Sequence, residues 1–222
     1  MNFSTHKFFP DRLFAALLLA LTVLAMALPQ AAAKPLRLMA YGDSLIHGYG
    51  LGPGETFPDQ LQDALDEAGY DVTVINAGNS GETTAGGRAR LDWSLAESPD
   101  AVLLLLGAND MLRGIDPAEA KANLSAIIEA LQARDIEILL AGMRAQPGLG
   151  ADYVDAFNAL YPALAETYQV PLYPFFLEGV AAVPPLNQSD GLHPNADGVA
   201  RIVEAILPSV TGLLDQLREA PR

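Results

Sequence analysis

The amino-acid sequence predicts an α/β protein of three layers, in which a central parallel sheet of five strands lies between two layers of helices. Two observations carry this expectation. Short β-rich runs alternate about five times with segments whose apolar residues recur at helical spacing. One of those runs, 101–106, reads Ala-Val-Leu-Leu-Leu-Leu. A strand that is apolar at every position is buried on both faces, as parallel sheets are when helices cover each side.

The strands are expected at 36–41, 72–76, 101–106, 136–141 and, more weakly, 170–173. The first long helix follows from Phe57, Leu61, Ala64, Leu65 and Ala68, which fall on one helical face, with Gly69 as its stop. A second is expected over 83–96. A third starts at Asp116-Pro117, with Asp as N-cap and Pro in the first turn. A fourth covers 153–168, and the last runs from about Asn195 to Leu217, with Pro208 expected to kink or interrupt it. Two long stretches, 142–152 and 174–190, show no period and are candidates for binding loops.

The chain has 222 residues, and its first 33 are expected to be a cleaved secretory signal. Lys7 and Arg12 form a positive start, an apolar run covers 13–28 and ends near Pro29, and Ala31-Ala32-Ala33 offers a cleavage site. That run is shorter than the roughly 20 residues of a membrane-spanning helix. One domain, 34–222, would remain, exported to the periplasm or secreted, with no stable membrane anchor and a monomer as the default. Removing Lys7, Arg12 and Asp11 moves the net charge from −14 to −15. Such a charge repels nucleic acid and anionic membrane surfaces. The absence of cysteine excludes disulfides, thiolate chemistry and a lipid anchor on Cys.

In open parallel sheets, ligands bind beyond the carboxyl ends of the strands. The segments there are Gly42-Asp43-Ser44-Leu45, Ala77-Gly78-Asn79-Ser80-Gly81 and Gly107-Ala108-Asn109-Asp110, joined by Asp190-Gly191-Leu192-His193-Pro194 before the last helix. Their residue types suit acyl transfer. Ser44 offers a hydroxyl, which is a weak nucleophile until an imidazole takes its proton. His193 offers the imidazole, and Asp190, three residues earlier, an acid for its other nitrogen. The amides of Ser44 and Gly81 and the side chain of Asn109 are the natural donors to an oxyanion. Of the three histidines, His6 falls in the expected signal, and His47 has no Asp close after it and reads as a polar residue at the cleft mouth. Asp43 and Asp110 are expected to brace their loops, and Ser80 to belong to a turn.

These four blocks resemble the SGNH (GDSL-type) hydrolase family, a flavodoxin-like fold. Gly42-Asp43-Ser44-Leu45 matches its first block, Gly81 the glycine of the second, Gly107-Ala108-Asn109-Asp110 the third, and Asp190 with His193 the fifth. No G-x-S-x-G surrounds Ser44, which argues against an α/β-hydrolase elbow. Asn76-Ala77, Leu112-Arg113-Gly114, Tyr161-Pro162 and Pro174-Phe175-Phe176 are similar to the exported bacterial thioesterase I, lysophospholipase and arylesterase group. Glu82 departs from the Asp usual in that group. The resemblance implies a serine hydrolase of acyl esters, thioesters or lysophospholipids, with no metal or organic cofactor. Apolar residues of the two long loops either bury those loops or line an acyl groove. Leu149, Tyr153 and Phe175 are the candidates for the groove. The rival readings are a carbohydrate deacetylase of the same fold and a non-catalytic acyl- or envelope-binding protein.

Overall fold

A computed structural model describes residues 34–219 together with Met1. The expected signal, with Lys7, Arg12 and Ala31-Ala32-Ala33, lies outside the described residues. The chain divides between Lys34 and Pro35, and the fold is that of the second unit. Among the described residues, no helix is long and apolar enough to cross a membrane.

Five strands form one sheet: β1 (Leu36–Gly42), β2 (Val72–Gly78), β3 (Ala101–Leu105), β4 (Glu137–Ala141) and β5 (Leu172–Tyr173). Their order is β2-β1-β3-β4-β5 and every pairing is parallel. The helices are α1 (Ser44–His47), α2 (Phe57–Glu67), α3 (Thr84–Ser94), α4 (Ala108–Leu112), α5 (Pro117–Gln132), α6 (Ala151–Tyr168) and α7 (Ala196–Glu219). From β1 the chain steps one way to β2, then turns back across the sheet to β3, β4 and β5. Because such crossovers are right-handed, the reversal places α2 on one face and α3, α5 and α6 on the other. The packing agrees: α2 lies against α7, while α5 lies against α3 and α6. The three layers anticipated from the alternation of periods are therefore present.

Local chemistry explains the element ends. Thr56 caps α2 through Asp59 N, and Phe57, Leu61 and Leu65 are fully buried on its inner face. The helix closes with Gly69 N donating to Asp66 O and Tyr70 N to Leu65 O, a glycine-centred stop with φ +79°. Asp116 caps α5 by accepting from Ala118 N, with Pro117 in the first turn. β2 is an edge strand, and the Gln62 amide blunts it by accepting from Val74 N at 2.7 Å and donating to Val72 O at 3.0 Å.

Two elements differ from expectation. β5 is shorter than 170–173, since Pro171 offers a carbonyl to Leu140 N but has no N–H to pair. α7 is not interrupted at Pro208. Ile202, Val203 and Ile206 before it and Val210, Leu213 and Leu214 after it are all buried on one stripe. Burial on both sides of the proline outweighs the one helical hydrogen bond it removes.

Candidate active site

The chain reversal after β2 leaves β1 and β3 adjacent, with their following segments leaving toward opposite faces. This is the switch point where open α/β sheets carry a crevice. Gly42 ends β1 across from Leu105 of β3. A Cβ on Gly42 would stand 2.5 Å from Leu105 O and from the Ile46 side chain, so only glycine fits. Asp43 follows as the N-cap of α1, accepting from Leu45 N at 3.0 Å, and this leaves Ser44 as the first helical residue rather than the cap. At the end of β3, Gly107 has φ +121° and packs against the Tyr161 hydroxyl, which donates to Leu106 O at 2.9 Å. That turn brings Asn109 to the crevice.

From the far end of the chain comes a tight hairpin, closed by an antiparallel bridge between Asn187 and Pro194. Gln188 N donates to His193 O at 2.8 Å, and the Gln188 amide donates to Pro194 O at 2.9 Å and to Tyr49 O at 2.7 Å. The hairpin is thus tied to the segment that follows α1. At its tip Asp190 accepts from Leu192 N and His193 N at 2.9 and 3.0 Å, and its Oδ2 meets His193 Nδ1 at 2.7 Å. His193 Nε2 lies 2.9 Å from Ser44 Oγ. An unbroken polar chain therefore runs from the carboxylate through the imidazole to the hydroxyl. With Nδ1 protonated toward Asp190, Nε2 is free to take the serine proton. The His193 amide and ring, with the Leu192 amide, hold the Asp190 carboxyl down at about 2, so it is charged at neutral pH.

Gly81 sits in a turn closed by Glu82 N donating to Asn79 O, and its φ of +78° suits the third position of that turn. Arg113 donates to Gly81 O at 2.6 Å. Ser44, Gly81, Asn109 and His193 all line one cavity of about 300 Å³. Among the described residues the amides of Ser44 and Gly81 donate to no protein acceptor. Asn109 Nδ2 donates one N–H to Asp43 Oδ2 at 3.3 Å, and its second N–H is available. Three neutral donors thus border the space beside the hydroxyl.

Beneath these loops lies a network that the sequence did not reveal. Arg90 on α3 donates from Nε to both Glu82 oxygens at 2.7 Å and from Nη2 to Gly42 O and Ala77 O at 3.1 and 2.9 Å. Its guanidinium also lies 4.1 Å above the Tyr41 ring. One side chain thereby bolts together the ends of β1 and β2, which deliver Ser44 and Gly81. It also explains Glu82, whose extra methylene relative to Asp is taken up in a two-oxygen pairing with Arg90. Asp110 braces the third block by accepting from Thr84 N and Thr84 Oγ1 at 2.8 and 2.6 Å.

The cavity wall differs from the expected groove. Leu149, Tyr153 and Phe175 do not line it. Tyr153 turns away, donating to Ile115 O and stacking on Phe157. Phe175 packs under the Arg144 guanidinium, and Leu149 stands 42% exposed on the surface. The same two loops do reach the cavity, through Met143, Gln146 and Leu177. Met111 and Leu112 of α4 and Leu192 of the hairpin complete an apolar surround. Tyr49 lines the mouth, its ring centroid 4.8 Å from that of His193. The other histidine among the described residues, His47, is exposed and lies 3.4 Å from Gly78 O. Among the described residues, no cluster of three or more His, Cys, Asp or Glu side chains could hold a metal ion.

Comparison with known proteins agrees with this geometry. The GDSL-like lipase/acylhydrolase family matches residues 40–201. The chain is 39% identical to an esterase, TesA, of Pseudomonas aeruginosa over 201 residues, 90% of this chain and 99% of that protein. It is 43% identical to an arylesterase of Vibrio mimicus over 185 residues, 83% of this chain and 92% of that one. The solved structure of AlinE4, an SGNH-hydrolase family esterase, superposes with a TM-score of 0.70 at 48% identity, covering 82% of this chain and 98% of AlinE4. With the fold, the order of its blocks and these relatives in agreement, the chain belongs to the GDSL-like lipase/acylhydrolase family and is a hydrolase.

Proposed function

We propose that this hydrolase is an exported serine esterase, whose domain begins near Lys34 and which cleaves acyl esters or thioesters through an acyl-enzyme on Ser44. The observation that carries the reading is the Asp190–His193–Ser44 hydrogen-bond chain opening on an apolar cavity bordered by neutral donors. In this mechanism His193 takes the Ser44 proton as Oγ attacks the acyl carbonyl. The oxygen, now anionic, is held by the amides of Ser44 and Gly81 and the side chain of Asn109. The tetrahedral intermediate collapses, and His193 passes the proton to the departing alcohol or thiol. Water, deprotonated by His193, then releases the carboxylic acid and restores Ser44. Besides the substrate and this water, each step draws on groups of this chain.

The cavity favours an acyl group over a sugar. Met111, Leu112, Met143, Leu177 and Leu192 make most of its wall apolar, and Ser80 and Gln146 offer few partners for the hydroxyls of a sugar ring. Its volume of about 300 Å³ is at the small end of ligand sites, which points to short or medium acyl chains or aryl esters. The test is a hydrolysis panel over acyl length and leaving group, with acetylated sugars as comparison, on protein starting at Lys34. Ser44→Ala and His193→Ala are each expected to lower kcat by on the order of 10⁴-fold or more, while His47→Ala keeps most activity. A His193→Ala enzyme with near wild-type rate, or a wild-type protein that forms no adduct on Ser44 with a fluorophosphonate, would sink the proposal. The latter result would favour a binding protein.

A further inference from the structure

Asp43 is only 1% exposed, yet no basic side chain among the described residues forms an ion pair with it. Its Oδ1 accepts from Leu45 N and its Oδ2 from Asn109 Nδ2. Capping α1 does not call for a charge, since Asn or Ser caps as well as Asp without burying one. The second contact accounts for it. A carboxamide is nearly symmetric in shape, and its partners alone decide whether nitrogen or oxygen occupies a given place. A carboxylate only accepts hydrogen bonds. Beside it, Asn109 must present its NH2 group. Turned over, its oxygen would face the Asp43 oxygens across a dry interior and would also face any oxyanion formed at Ser44.

We infer that Asp43 is a positioning residue, whose carboxylate locks the Asn109 amide with N–H rather than C=O toward the oxyanion. The inference rests on the reading of Asn109 as an oxyanion donor. The groups around Asp43 are compatible with it. Burial pushes its carboxyl up to about 6, opposed by the hydrogen bonds from Leu45 and Asn109 and by His193, with Glu82 adding to the rise. The carboxylate is therefore the main form at neutral pH.

The experiment is a double-mutant cycle with p-nitrophenyl acyl esters. Asn109→Ala should lower kcat by about 10²- to 10³-fold, the usual cost of one oxyanion donor. A wild-type kcat in that variant would refute the underlying role of Asn109, and the inference with it. Asp43→Asn keeps the cap but lets Asn109 turn. It should lower kcat by about 10- to 100-fold with KM within about twofold, because the interaction lost is made only in the transition state. In the Asn109→Ala background, Asp43→Asn should change kcat by less than about twofold. A capping role would leave kcat unchanged in both backgrounds or lower it equally in both, and either result overturns the inference. Asp43→Ser, which also caps, carries the same comparison if the Asn variant fails to fold.

Discussion

Replacing Asp43 by Asn should stabilise the folded protein at neutral pH and lose that advantage in acid. The folded carboxyl is raised by burial from 3.8 to about 6. Between those two values the folded chain keeps a proton that the unfolded chain has released, so wild-type stability falls as pH rises through this window. The Asp43 contribution is constant below the lower value and above the upper one. A gap of roughly two pKa units corresponds to about 3 kcal/mol, the cost of holding this charge out of water. Asn does not titrate, so the stability difference, variant minus wild type, should grow by about 3 kcal/mol between about pH 3.5 and about pH 7.5. Asp190 works the other way. Its carboxyl is lowered to about 2, so its contribution is present above 3.8 and is lost as pH falls through about 2. It is common to both proteins and cancels. Urea unfolding of each, extrapolated linearly at a series of pH values, gives the difference directly. A difference constant within about 0.5 kcal/mol across that range would refute the reasoning. Together with the expected loss of turnover, the result would mark Asp43 as a residue that trades stability for activity.

Arg90→Met should strand the Glu82 carboxylate, whose side chain is 4% exposed, and cost about 3–5 kcal/mol in urea unfolding. A cost under about 1 kcal/mol would mean that water replaces the guanidinium. Leu177→Asp places a charge on the cavity wall and should depress turnover of long acyl esters at least about tenfold more than acetyl esters, while Leu149→Asp, outside the wall, should leave both within about twofold. Equal effects of the two substitutions would return the loop around Leu149 to the acyl site. Tyr49→Ala should lower kcat/KM for phenyl esters by about 3- to 10-fold and barely affect ethyl esters with the same acyl group, because its ring sits beside His193, the imidazole proposed to protonate the leaving group. Tyr49→Phe should behave as wild type, and equal losses on both esters would make Tyr49 only a support for His193.

What could be read in the sequence was what is encoded locally. The apolar runs of β1 and β3 and the caps at Asp116 and Gly69 depend on neighbours a few residues away, and they appear in the structure within a residue or two of expectation. Asp190 and His193 are three residues apart on one hairpin, so their mutual contact was also legible. The cavity wall was not. Met143 and Leu149 share a glycine-rich loop and similar hydropathy. Which of them turns inward is decided by Asn158 Oδ1 holding Ala145 N and by Met111 Sδ accepting from Gln146 N, contacts made across the fold. Arg90 was missed for the same reason, since its acceptors Gly42 and Ala77 lie 48 and 13 residues away. Read along the chain, it is one arginine on a helix.

The hairpin that carries His193 also sets the timing of the site. Ser44 and His193 are 149 residues apart. At synthesis rates of about 5–20 residues per second, roughly 7–30 s separate their emergence from the ribosome. A nascent chain therefore holds the serine for most of its synthesis without the imidazole proposed to activate it. On the proposed mechanism, the order of its parts alone would keep an unfinished chain from hydrolysing esters.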